Sequence, residues 1–202
     1  HNFIIKTKNM SKNIFKKIAF IILILFIASC DKDEPEEIHE HEELSRVTLK
    51  VTNENDSSDV TTYTFEVEDH DHDHSVSDTH DDHDEIELSA NSSYLFEIRF
   101  YNDEDPSKPE DITLEVIEEK DEHHVFYELT DGANITVESG TGDTMDSNSN
   151  PLNLITKWTT TAAGVADVEA YLIHEPTSKT GTSRNDFGGA TDVEIEFEAH
   201  VE

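Results

Sequence analysis

"DVEIEFEAHV", residues 192 to 201, alternates without a break between polar and apolar side chains. Val193, Ile195, Phe197, Ala199 and Val201 share one face, and Asp192, Glu194, Glu196, Glu198 and His200 share the other. Successive side chains leave a pleated backbone on opposite sides, so this period of two marks a strand with one face in a core and one in water.

The same period recurs upstream in Val47, Leu49 and Val51, in Thr61, Tyr63, Phe65 and Val67, in Tyr94, Phe96, Ile98 and Phe100, and in Ile135 and Val137. Turn-rich stretches separate these runs: "NENDSSD" (53–59), "NDEDPSKPE" (102–110), "SGTGDTMDSNSNP" (139–151) and "RNDFGGA" (184–190). Many short strands with one apolar face each predict an all-β chain, a single antiparallel β-sandwich of immunoglobulin-like type over residues 44–202. One segment breaks the rhythm. Ile112 and Val116, and Glu115 and Glu119, stand at i,i+4 spacing, which predicts a short helix over 111–121 before a strand through Val125 and Tyr127.

The N-terminal residues read differently. Lys6, Lys8, Lys12, Lys16 and Lys17 precede the apolar run "IAFIILILFIA" (18–28). Eleven residues make a helix of about 16 Å, against roughly 30 Å for a bilayer core, so residues 1–29 read as a signal peptide. Met10 is the expected start, with residues 1–9 upstream of it. The run closes on "IASC", and Cys30 is the single cysteine. This resembles the lipobox of bacterial lipoproteins, which implies lipidation of Cys30 and attachment to the outer membrane. Residues 30–43, beginning "CDKDEPEE", then form a solvated acidic tether, and they resemble the export signal of surface lipoproteins in Bacteroidetes, which implies an outward-facing protein. His39 and His41 lie among its glutamates and offer weak metal sites.

Beyond residue 29 the chain carries nine basic against 47 acidic groups, a formal charge of −38. Such a surface repels phosphate backbones and draws in cations, which excludes nucleic acid as a partner. The acids are joined by histidines in "DHDHDHSVSDTHDDHD" (69–84). His70, His72 and His74 alternate with Asp69, Asp71 and Asp73, and His80 and His83 follow after a turn. Placed between strands ending near Glu68 and starting near Ile86, the segment reads as a hairpin-like connection whose arms bring three or four imidazoles to one ion. Zinc suits that ligand set, and copper and nickel suit imidazole equally. Calcium fits poorly, because His74 stands where the calcium loop needs glycine. "DSNSNP" (146–151) is a second partial calcium match, without the glycine or the closing acid. His123 and His124, beside Glu119 and Glu122, form a secondary candidate. His174 shares the parity of Val168 and Leu172, which predicts a structural histidine, and His200 belongs to the solvated face.

"EDIT" (110–113), "DEHHVFY" (121–127), "NPLNLITKWTT" (150–160), "LIHEP" (172–176) with Lys179, and "GGATDVEIEF" (188–197) together resemble a family of small flavobacterial lipoproteins. The resemblance implies a β-sandwich at the cell surface, in some relatives beside a TonB-dependent outer-membrane receptor. It implies no catalytic residues. The sequence holds no nucleophile elbow, phosphate-binding glycine loop or His-Glu-x-x-His helix, so a non-enzymatic role is expected. The reading is capture of a divalent transition metal through the 69–84 loop and its transfer to a receptor. The alternative is a surface module for a glycan or protein, with Trp158 and Tyr101 as the groove aromatics.

Overall fold

A computed structural model describes residues 44–67, 85–103, 105, 107–130 and 134–202. Cys30, the tether with His39 and His41, and the 69–84 segment lie outside the described residues. Among the described residues no helix is long and apolar enough to cross a membrane.

Among the described residues ten strands follow one another: β1 Arg46–Asn53, β2 Val60–Glu66, β3 Glu85–Leu88, β4 Ser93–Asn102, β5 Glu110–Asp111, β6 His123–Thr130, β7 Ile135–Ser139, β8 Ile155–Thr160, β9 Gly164–His174 and β10 Ala190–Val201. The helix α1, Thr113–Glu118, stands between β5 and β6. One sheet runs β2-β1-β4-β8-β7 with β5 beside β4, and the other runs β3-β10-β9-β6. The chain is therefore all-β, as its alternation predicts. Two details differ from the expectation. β3 pairs with β10 in parallel, so the second sheet is mixed. β2 and β3 also lie at the edges of different sheets and do not pair with each other. The strands on either side of residues 69–84 are thus joined across the two sheets and are not a hairpin. The sequence between them is too polar to record which edge each strand takes.

The apolar faces meet in one core. Val47, Leu49, Phe96, Ile98 and Phe100 from the first sheet share it with Val125, Val168, Leu172, Ile195 and Phe197 from the second. Trp158 is the joint between the layers. It has no exposed surface, stacks on Phe96 at 4.1 Å and meets the edge of Tyr127 at 5.4 Å. Its parity on β8, shared with Thr156 and Thr160, sends the indole inward, which removes it as a groove aromatic. Tyr101 is no open platform either, since the Arg46 guanidinium lies 4.0 Å over its ring and is itself held by Asp103.

α1 starts later than predicted because Asp111 pairs with β4 instead, and it ends at Glu118, where Glu119 N–H closes the last turn on Glu115 O at 2.8 Å. The Thr113 hydroxyl accepts the Phe100 N–H at 2.8 Å, and Val116 is fully buried. Past the helix, Glu122 N–H donates to Glu119 O at 2.8 Å, which turns the chain into β6 directly over His123.

Candidate metal centre

At one end of the second sheet three neighbouring strands each deliver one ligand-type side chain. His123 opens β6 and pairs with His174, the last residue of β9, while His174 pairs with Ala190 at the head of β10. Both histidines sit on the inward parity of their strands, which places their rings against each other at 4.8 Å and 27°.

The third group, Asp192, comes from a bulge. Thr191 pairs with Ile173 and Val193 with Leu172, so Asp192 is an extra residue in β10. Strict alternation puts it on the outer face with Glu194. A bulge can re-aim a side chain, and here the carboxylate is only 3% exposed. Its oxygens lie 3.7 Å from His123 Nε2 and 3.6 Å from His174 Nδ1. The expected outward position of Asp192 is therefore corrected, and the bulge is the reason.

These separations exceed a hydrogen bond. They approach the spacing of about 3.4 Å between neighbouring ligands around a tetrahedral zinc ion. His123 adds a chemical argument. Its Nδ1 lies 3.3 Å from Glu119 O, and a carbonyl only accepts, so Nδ1 carries the proton in that bond. Nε2 then presents its lone pair toward the Asp192 carboxylate. Burial holds the His123 imidazole below its ordinary range, against the pull of the Asp192 charge. A neutral imidazole with its second nitrogen bound to a carbonyl is the form that ligates a metal.

The rim of the centre is acidic. Glu122 and Glu175 lie with His174 in a second group of possible ligands, and Glu119 Oε2 is 3.9 Å from His123 Nδ1. Glu175 takes a left-handed backbone, φ +48, and Gly189 packs so close that a Cβ there would stand 2.2 Å from His174 O. The "GG" before β10 is what lets that strand start against the end of β9.

His124 does not join His123. Consecutive strand residues face opposite ways, and His124 stacks on Phe187 at 5.2 Å with Nδ1 donating to Pro151 O at 3.1 Å. Burial, reinforced by the Lys179 charge, pushes its pKa down to about 4. Lys179 in turn donates to Lys120 O at 2.7 Å and lies 3.3 Å from the Asp146 carboxylate. Burial alone would raise the Asp146 carboxyl, but hydrogen bonds from Asn150 and Asn148, with Lys179, hold it well below the usual range. The Asp146 carboxylate is thus engaged by Asn148 and Asn150 within its own loop and by Lys179. Asp121 fastens the same loop through Ser147 N and Oγ at 2.6 and 2.7 Å. The effect is to brace the turn before His123.

On the outer face His200 Nε2 lies 2.7 Å from Glu198, which raises the imidazole's pKa, with Glu85 nearby. Glu169, Glu194 and Glu196 form an acidic patch on the same sheet. Both groups match the solvated ladder expected there.

The sequence pointed to His123 and Glu119 but missed two partners. His174 carried the signal of core parity, and Asp192 is recoverable only as an acid at the head of a strand just after "GG". No family model, curated protein or solved structure matches this chain.

Proposed function

We propose that the protein is an outer-membrane lipoprotein, anchored through Cys30 and facing the exterior, that captures a divalent transition metal, zinc first. The observation that carries the reading is the convergence of His123, His174 and Asp192 from three adjacent strands, with a ring lone pair aimed at a buried carboxylate. Two imidazoles and one carboxylate suit zinc and also admit copper or nickel, and an acidic surface raises the local concentration of any of them. His70, His72, His74, His80 and His83 with Asp69, Asp71 and Asp73 supply a collecting segment, and an outer-membrane receptor is the natural recipient. The scaffold is taken as an immunoglobulin-like sandwich, a reading supported by the tryptophan buried between the layers.

Zinc titration by calorimetry tests this on three forms of the chain: unaltered, with the five loop histidines changed to glutamine, and with Asp192→Asn added. The loop variant should lose most of the stoichiometry and keep one ion, and Asp192→Asn should remove that last ion. A loop variant with unchanged stoichiometry would refute the collecting role. A last ion indifferent to Asp192→Asn would refute the centre.

A further inference from the structure

The centre has an inside and an outside, and one residue belongs to both. His123 is 1% exposed and the Asp192 carboxylate 3%, whereas His174 is 14% exposed. Of the three groups, His174 is the one that shows most surface to solvent. Glu122 and Glu175 stand on that open side, and each offers a carboxylate oxygen within 4.8 Å of a His174 ring nitrogen. Their separation is fixed by main chain, since Glu175 N–H donates to Glu122 O at 2.6 Å.

We propose that Glu122, His174 and Glu175 form an outer docking position for a divalent transition cation, from which His174 passes the ion to His123 and Asp192. This deepens the metal-capture reading and rests on it. An aquo ion gives up its water reluctantly, and a buried site offers no partial shell to replace it. Two exposed carboxylates hold the ion while it is still partly hydrated. An imidazole within reach of both positions then lets ligands exchange one at a time. The outer carboxylates govern the rate of passage in both directions, while His123 and Asp192 govern the final affinity.

Cobalt(II) is a suitable probe, because its visible spectrum distinguishes a tetrahedral site from hydrated carboxylates. The experiment uses the full chain with the five loop histidines changed to glutamine, mixed rapidly with Co2+. Release is followed by adding a chelator. The wild-type centre should give a spectrum that His123→Gln abolishes. Glu122→Gln with Glu175→Gln should leave that spectrum intact while slowing uptake by about tenfold, the scale of local electrostatic enrichment, and slowing release as well, because the ligands that receive the departing ion are gone. Glu194→Gln with Glu196→Gln removes the same charge from the outer face and should change neither rate by more than about twofold. Unchanged rates in the Glu122/Glu175 variant would overturn the proposal, as would equal slowing in the control. Loss of the spectrum itself in that variant would also overturn it, since the carboxylates would then be final ligands. Absence of any His123-dependent spectrum in the wild type would instead defeat the metal-capture reading, and the outer position with it.

Discussion

His123 and His174 face each other across the β6–β9 ladder with their rings 4.8 Å apart, and the Asp192 carboxylate lies within 3.7 Å of both. Three strands are therefore joined at one end by side chains that a single cation could link.

Such a link should appear as stability. An ion that binds only the folded chain adds about 2.7 kcal/mol when its free concentration is 100 times Kd. Zinc should accordingly raise the melting temperature of a chain lacking the loop histidines by several degrees, and should not raise that of its Asp192→Asn derivative. Differential scanning fluorimetry with and without zinc reads this directly.

Trp158 should be the most costly single truncation in the core. It is fully buried and bridges Phe96 and Tyr127 from opposite sheets. Trp158→Ala removes that area and leaves a cavity, at a cost of about 3–5 kcal/mol. Urea unfolding should show the midpoint falling accordingly. A loss under about 1 kcal/mol would contradict the packing described.

Gly189 should tolerate no side chain. Its φ is +67, and a Cβ would meet His174 O at 2.2 Å and Glu175 O at 2.8 Å. Left-handed strain alone costs on the order of 1–3 kcal/mol. Gly189→Ala should exceed that and loosen the β9–β10 pairing at His174, so stability and zinc affinity should fall together.

His124 should make stability depend on pH. Its folded pKa is depressed from 6.5 to about 4, so between those values the unfolded chain binds more protons. The contribution is complete above pH 6.5 and is lost progressively as pH falls toward 4. At full extent it amounts to about 3 kcal/mol. In His124→Gln, which does not titrate, the urea midpoint should lose that part of its pH slope. An unchanged slope would assign the acid sensitivity to other groups.

Most of the fold was legible because its physics is local. A half-buried strand must alternate, so β1, β2, β4 and β10 announce themselves in Val47 to Val51, Thr61 to Phe65, Tyr94 to Phe100 and Val193 to Val201. Pairing was not legible. Which edge receives β3 depends on the second sheet, and residues 69–84 carry no apolar pattern to say so. The candidate centre was half visible. His123 stood out as a histidine near acids, whereas Asp192 follows the outward parity of Glu194 until a one-residue bulge turns it. A bulge changes two backbone angles and leaves no mark in a hydrophobic pattern. The alternation that located His123 should also have separated it from His124.

The placement of β1 has a mechanical consequence. The strand begins two residues after Leu44 and runs between β2 and β4, with Arg46–Thr52 paired on one side and Arg46–Asn53 on the other. If the chain is anchored through Cys30 as proposed, tension would enter the described residues at this strand. Traction along β1 loads both ladders in shear, where many bonds resist at once, whereas a terminal edge strand can peel one bond at a time. A domain tugged by flow or by a bound partner would thus meet the load at a strand bonded along both sides.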